Sequence, residues 1–504
     1  MNAKKPNILL ITSDQQHWNT IGAFNKEIST PNLDRLVKEG TTFTRAYCPN
    51  PTCTPTRASI ITGQYPSQHG AWTLGTKLPE EVETIGEILL KQDYRTALIG
   101  KAHFQPLRGS EEYPSVETFP LSSDLDFWKG FNETFYGFEN AELARNHTTE
   151  FLVGQHYALW MEEKGCYNWR DYFMQPIGTL DPSIKRTWPI PEEYHYNTWI
   201  AERSNAYLEE YKDKEEPFFL WASFLDPHPP YFVPEPWDTM YDPNSLTLPQ
   251  LHEGEHKNNP PHYALTQEGH PDFSSYDETG FAIHGFHSHQ EDPEELRKDM
   301  AAYYGMVSMM DKYIGKILDK LEELGLAEET IVVFTTDHGH FFGHHGLIAK
   351  GPFHYEDMIK IPFIVRYPTH VPAGKTSDAM QSLVDLAPTF LDMLEVPVPR
   401  KMTGVVQTDV WRGVKPQARD HIICENHHEP SSVHLKTYVN DRYKITVYYN
   451  QTYGELYDLE KDPEEINNLW SDPTYQELKA ELLLKYAWAE MGKEPMWMPR
   501  LWHA

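Results

Sequence analysis

Residues 7–16 read NILLITSDQQ. The run from Asn7 to Thr12 is apolar and too short for an ordinary helix, so it reads as a buried strand. It ends in a polar tip, Ser13-Asp14-Gln15-Gln16. The same arrangement recurs three times. Thr96 to Ile99 runs into Gly100-Lys101-Ala102-His103, Phe218 to Ser223 into Asp226-Pro227-His228, and Ile331 to Phe334 into Thr335-Thr336-Asp337-His338-Gly339. Short apolar runs separated by helical patterns predict an α/β fold whose strands are mostly parallel and covered on both faces. In open α/β sheets ligands bind beyond the carboxyl ends of the strands, where all four tips would lie. Loops are polar in general, but tips this rich in Asp, His and Lys point to a site.

A long helix is expected before the last of these strands. Asp292-Pro293 supplies an N-cap and a first turn. Leu296, Met300, Tyr303, Val307, Met310, Ile314, Ile317, Leu321 and Leu324 then recur at steps of four and three, and Gly325 closes the helix. Such a stripe suits packing on the chain's own sheet better than a coiled-coil seam. The large domain is expected over 1–408, with insertions at about 105–200 and 226–292. The first insertion is aromatic and irregular (Phe127, Trp128, Phe131, Tyr136, Trp160, Trp169, Trp188, Trp199), with packing as the main role and stacking on a sugar or aryl ring as a second one. From 409 to 504 the pattern becomes a small antiparallel sheet (His421 to Cys424, Tyr438-Val439, Tyr443 to Tyr449, Glu455 to Leu459), then a helix near Tyr475 to Met491 and a tail.

The 504 residues carry 44 Lys+Arg against 74 Asp+Glu, a formal net charge of -30. Affinity for a phosphate backbone or an anionic membrane needs clustered cations, so nucleic acid and membranes are not expected partners. A small anionic substrate held by a few local cations remains compatible. Mean hydropathy is -0.61, and no apolar run approaches the roughly 18 residues that span a bilayer. Cys48, Cys53, Cys166 and Cys424 are too few and too scattered for a disulfide framework or a CxxC zinc site. The start, MNAKKPNILLITSDQQ, lacks a long h-region and a cleavage site, which predicts a cytoplasmic protein.

One cysteine stands apart. Residues 49–63 read PNPTCTPTRASIITG, where Thr54 suits an N-cap, Pro55 a first helical position and Gly63 a stop. Cys53 then sits at a helix N-terminus, which favours anions, and Arg57 lies one turn on. A structural cysteine is one reading. A thiolate nucleophile of lowered pKa is another, although cysteine phosphatases place the arginine six positions after the cysteine rather than four. The third comes from likeness to a family.

Cys53-Thr54-Pro55-Thr56-Arg57 resembles the Cys-x-Pro-x-Arg signature of type I sulfatases, members of the alkaline phosphatase superfamily. Thr30-Pro31-Asn32-Leu33-Asp34-Arg35-Leu36, Ala58-Ser59, Thr62-Gly63, His69-Gly70, Gly100-Lys101-Ala102-His103, Asp337-His338-Gly339, Lys350, Tyr457-Asp458-Leu459 and Asp462-Pro463 follow the family's order. The resemblance covers nearly the whole chain and is thin through 105–200 and 240–290. It implies an alkaline phosphatase-like α/β fold, with a large sheet between helices and a smaller C-terminal α+β subdomain. It also implies that a separate enzyme, the formylglycine-generating enzyme, oxidises Cys53 to formylglycine (3-oxoalanine). One hydroxyl of the hydrated aldehyde attacks sulfur, and the second then expels sulfate and restores the aldehyde.

By the same resemblance, Asp14, Gln15, Asp337, His338 and the modified Cys53 hold one divalent metal. Oxygen-rich ligation favours calcium or magnesium and the imidazole also admits manganese or zinc, while the resemblance points to calcium. Lys101 and Lys350 hold the sulfate oxygens, His103 serves the formylglycine hydroxyl, Arg57 anchors position 53, and His228 protonates the leaving oxygen. Gln15 replaces a second aspartate, and His338 stands where asparagine is frequent. Both departures resemble the phosphonate monoester hydrolase branch. His340, His344 and His345 crowd after the metal motif, but neighbours in one loop rarely share an ion. His427 and His428 open a loop toward the substrate side. The expected activity is hydrolysis of a carbohydrate or aryl sulfate, with phosphonate monoester or phosphodiester hydrolysis as the alternative, and an inactive sulfate or glycan binder as a reading from another class. Expected partners are the small anionic ester and the formylglycine-generating enzyme; a homo-oligomer is compatible with the chain.

Overall fold

The computed structural model describes residues 5–145, 153–173, 186–276, 292–427 and 432–502. Eight strands form one sheet: β1 (Asn7–Ser13), β2 (Thr41–Phe43), β3 (Arg95–Gly100), β4 (Asn140–Leu143), β5 (Phe218–Ser223), β6 (Thr330–Thr336), β7 (Phe363–Arg366) and β8 (Lys375–Ser377). Their order is β8-β2-β7-β6-β1-β5-β3-β4. All neighbours are parallel except β7, which runs antiparallel to β2 and β6. The four strands with polar tips are the central ones, β6-β1-β5-β3. Their ends are level, with Ser13 opposite Thr336, Thr12 opposite Ser223 and Gly100 opposite Ser223.

Every residue of β1 is buried, and the period of two sorts them between two cores. Ile8, Leu10, Phe219, Trp221, Ile331 and Val333 face one; Leu9, Ile11, Leu220, Ala222, Val332 and Phe334 face the other. The second face is covered by the long helix, Pro293–Glu323, whose Asp292 carboxylate caps the N–H groups of Glu294 and Glu295. Its Asp311 accepts from the backbone of Asn32 (3.1 Å) and Leu33 (2.7 Å), which explains the Thr30–Leu36 motif as a helix start held by a neighbouring helix. The first face is covered in part by the helix Cys53–Thr62, all ten of whose residues are buried. Gly100 has φ 117°, and a Cβ there would meet the Ser223 carbonyl oxygen at 1.8 Å, so the end of β3 requires glycine.

Trp128, Trp160, Trp169, Trp188 and Trp199 are all buried, which makes them packing residues rather than a stacking platform. Beyond residue 420 the strands β9 (Ile422–His427), β10 (His434–Val439), β11 (Tyr443–Tyr448) and β12 (Gly454–Asp458) form an antiparallel meander, followed by the helix Gln476–Gly492. No described helix is long and apolar enough to cross a membrane.

Candidate active site

The helix carrying Cys53 begins at Cys53 itself, with Thr52 extended before it and Gly63 left-handed after it. The expectation of Thr54 as cap is therefore corrected by two residues. Pro55 is tolerated inside the first turn because the N–H groups there have no intrahelical partner. The Cys53 sulfur lies 3.2 Å from His338 Nε2, 3.6 Å from Asp14 Oδ1, 3.2 Å from Lys350 Nζ and 3.8 Å from Lys101 Nζ. Burial, aided by Asp14, pushes its thiol up despite the two lysines. That is the reverse of what a thiolate nucleophile needs.

Ligand atoms of Asp14, Cys53, Asp337 and His338 all lie within 4.8 Å of one another, and all four residues are buried. His338 Nδ1 faces the Gly339 carbonyl at 2.9 Å. A carbonyl can only accept, so Nδ1 carries the proton and the Nε2 lone pair faces Cys53. Burial holds the imidazole neutral, at about 4. Asp337 Oδ1 accepts from the backbone of Gln15 and His338, each at 3.0 Å. The Gln15 side chain, at a left-handed φ of 60°, contacts His340 Nδ1 through Nε2 at 3.0 Å, and its Oε1 is buried without a partner. Two carboxylates, an amide oxygen left over and an imidazole lone pair fit a hard divalent cation.

The cations arrive from three directions. Arg57, fully buried, donates from Nε to Asp337 Oδ2 (2.9 Å) and from Nη1 to Lys101 O and Ser223 Oγ (2.8 Å each), with Nη2 3.7 Å from Asp14. It thus anchors the two carboxylates and the Lys101 loop around position 53. Lys101 Nζ donates to Asp14 Oδ2. Lys350 Nζ touches both Cys53 and His228 Nε2, the latter at 3.1 Å, while His228 Nδ1 donates to Pro229 O at 2.6 Å. Burial and the nearby Arg145, Lys101 and Arg57 drive His103 well below the usual imidazole range, and its Nδ1 is buried without a partner. Arg57, Lys101 and Lys350 against Asp14 and Asp337 leave one surplus positive charge in a protein of net -30. Such a local field draws an anionic substrate to the tips.

His340 is separated from its neighbours: it bridges Gln15 and the Tyr231 hydroxyl (2.8 Å), whereas His344 and His345 approach Asp357. His17, His344 and Asp357 bring ligand atoms within 4.8 Å. The two rings lie nearly parallel with centroids 5.2 Å apart, and His17 Nε2 already contacts Asp357 Oδ1 at 2.9 Å. His427 ends β9 against Trp72 and His434; His428 lies outside the described residues. Sequence reading missed Ser223, Glu117, Arg145 and the Tyr231–His340 pair. Ser223 alone carried a signal, as the last residue of a strand whose tip had been singled out.

A family model described as Sulfatase matches residues 6–396, and one described as N-sulphoglucosamine sulphohydrolase, C-terminal, matches 343–490. Over 485 residues the chain is 30% identical to an arylsulfatase of Clostridium perfringens (strain 13 / Type A), covering 94% of this chain and 92% of that protein. It is 25% identical over 516 residues to an N-acetylglucosamine-6-O-sulfatase of Bacteroides thetaiotaomicron, covering 95% and 85%. Among solved structures, a phosphonate monoester hydrolase from Silicibacter pomeroyi matches with a TM-score of 0.79 at 22% identity, over 98% of this chain and 96% of that one, a likeness of fold.

Proposed function

The chain belongs to the sulfatase family, a family of sulfuric ester hydrolases, and from that premise we propose that it hydrolyses a carbohydrate or aryl sulfate through formylglycine formed from Cys53. The observation that carries this reading is the meeting at one buried sulfur of two lysines, a neutral imidazole and an aspartate. Asp14, Gln15, Asp337, His338 and the oxygen that replaces Cys53 Sγ would hold one divalent cation, calcium by resemblance. Bound there, it would lower the pKa of the attacking hydroxyl and offset charge on the ester oxygens.

The chain's own residues do the rest. Lys101 and Lys350 bind spectator oxygens, an electrostatic service rendered without reorganisation because Asp14 and His228 already hold them. Arg57 holds Asp14 and Asp337 in orientation. His228 keeps Nδ1–H on Pro229 O and Nε2 toward Lys350 and the site; it would supply the leaving oxygen's proton as an imidazolium, protonated at Nε2 before the ester bond breaks and neutral afterwards. His103 serves the hydroxyl of position 53. Names of relatives such as N-acetylglucosamine-6-O-sulfatase support a sulfated sugar as substrate.

Co-expression with a formylglycine-generating enzyme should lower the mass of the peptide containing position 53 by about 18 Da, thiol replaced by aldehyde. Full activity with the thiol unmodified would sink the nucleophile. The second reading, a phosphonate monoester hydrolase, is favoured by Gln15 and His338 in the ligand set. It wins if mature enzyme prefers a phenyl phosphonate monoester to the matching aryl sulfate by about tenfold or more in kcat/KM, roughly 1.4 kcal/mol.

A further inference from the structure

The loop 101–105 carries two of the site's residues, Lys101 and His103, yet it belongs to no helix or strand. His103 lies in the left-handed region, φ 60°. A left-handed residue in such a loop turns successive N–H groups to one side and makes a concavity that binds anions. Here the concavity is filled from within. The Glu117 carboxylate, 1% exposed, accepts from His103 N at 3.0 Å through Oε1, and from Phe104 N and Gln105 N at 2.9 Å each through Oε2. Arg145 Nη1 donates to Oε1 at 3.2 Å and to Gln105 O at 3.1 Å. Four donors match the acceptor capacity of one carboxylate.

The clamp is itself held. Gln105 Oε1 accepts from Val116 N at 2.7 Å, and Ser115 Oγ donates to Pro106 O at 2.8 Å, which folds the segment before Glu117 back on the loop. Arg145 follows β4, whose end is tied to β3 by Ala144 N donating to Gly100 O at 3.0 Å. From the other side Arg57 grips Lys101 O. The loop is thus fixed between Arg57 and Glu117.

We propose that Glu117, backed by Arg145, is a positioning residue that fixes the 101–105 loop so that Lys101 and His103 reach position 53. The inference rests on reading the Cys53 site as the reacting centre. Because Arg145 balances its charge, Glu117 does not subtract from the field of Lys101. By occupying the concavity it also leaves the substrate's oxyanion no competing backbone site beside the lysine.

Glu117→Ala in mature enzyme should lower kcat by about 30-fold or more while KM changes by about threefold or less, the signature of lost orientation rather than lost binding. Formate or acetate at tens of millimolar, filling the vacated concavity, should restore at least about fivefold of that loss and leave wild type unchanged. Amide exchange at 103–105, measured by hydrogen–deuterium exchange NMR or mass spectrometry, should quicken by about 100-fold in the variant. Adding Glu117→Ala to a Lys101→Ala/His103→Ala double variant should cost no further rate, since Glu117 acts through those two residues. If Glu117→Ala fails to fold, Glu117→Gln keeps the shape but turns an NH2 toward the donors, and it should show the same loss of kcat without rescue. A kcat within about twofold of wild type in either variant, unchanged exchange at 103–105, or a further full loss on adding Glu117→Ala to the Lys101→Ala/His103→Ala double variant would overturn the proposal. Wild type inactive on both aryl sulfate and phenyl phosphonate would overturn the functional reading instead, and the exchange rates would still decide the role of Glu117.

Discussion

At the scale of single residues, the site depends on groups whose partners are already in place. Asp337 takes two backbone N–H groups through Oδ1 and Arg57 through Oδ2. Asp337→Asn retains an oxygen for the backbone donors, so the fold should persist. The variant removes a ligand charge and turns an NH2 toward Arg57. Its kcat/KM should fall by more than about 100-fold, roughly 2.7 kcal/mol, with bound metal lost in elemental analysis; unchanged turnover and metal content would refute the ligand assignment. Lys101→Ala probes the substrate. A sulfate ester offers the lysine a charged oxygen, whereas a phosphonate or diester carries a substituent where one such oxygen would lie. The variant should therefore lose more rate on aryl sulfate than on phenyl phosphonate, and equal losses would argue against Lys101 as a sulfate contact. Sequence motifs named Lys101 and Asp337. They could not name Glu117 or Arg145, because nothing in an irregular stretch marks a residue that acts only through another chain segment.

At the scale of elements, the tips of β1 and β6 are joined to the segment 251–259 through an ion-pair cluster. His345 Nδ1 lies 3.4 Å from Glu255 Oε1, His345 Nε2 lies 3.4 Å from Asp357 Oδ2, and the ring stacks on Tyr355 at 3.6 Å. Burial opposes its charge, but Asp357 and Glu255 prevail and raise His345 to about 9. The sign follows from the folded value exceeding the usual one near 6.5. The stabilisation is whole below pH 6.5 and is lost as pH rises toward 9, on the order of 3 kcal/mol. His345→Gln should flatten the stability profile of the protein across that window, as read from denaturant midpoints at pH 6, 7.5 and 9. A parallel profile in variant and wild type would show that the cluster does not titrate with folding. The four central strands, the long helix and the C-terminal meander were legible from periodicity and caps, whereas the shorter outer strands β2, β4, β7 and β8 were not. Nor was the cluster, since it joins residues 90 and 12 positions apart in single-turn helical segments too short to show a period.

At the scale of the whole molecule, Glu425 in β9 ties the C-terminal sheet to the segment after the Cys53 helix. Its carboxylate accepts from Ser67 N (2.8 Å) and Ser67 Oγ (2.9 Å), and pairs with Lys436 (3.2 Å) and Lys493. Burial alone would raise it, but Lys493 and Lys436 hold it down at about 2. A folded value below the ordinary 4.5 means stability present above pH 4.5 and lost as pH falls toward 2, about 3 kcal/mol in all. Glu425→Gln should lower the urea midpoint at pH 7, with the gap to wild type closing under acid. A gap that persists at pH 2.5 would assign the effect to packing instead of charge.

By itself the sequence determined what is local or periodic. Apolar runs with polar tips required buried parallel strands, the four-and-three stripe required the long helix, and the residues 53–57, 100–103 and 337–339 carried the family's likeness intact. What only the tertiary structure decided was convergence. Strand order places β6, β1, β5 and β3 side by side, and this brings Asp14, Lys101 and Asp337 to one sulfur, with His228 behind Lys350. It also supplies Ser223, His340, Glu117 and Arg145, whose roles exist only as distances between segments far apart in the chain. A one-dimensional pattern records which side chains a strand or helix buries; it does not record which carboxylate will find three N–H groups turned toward it.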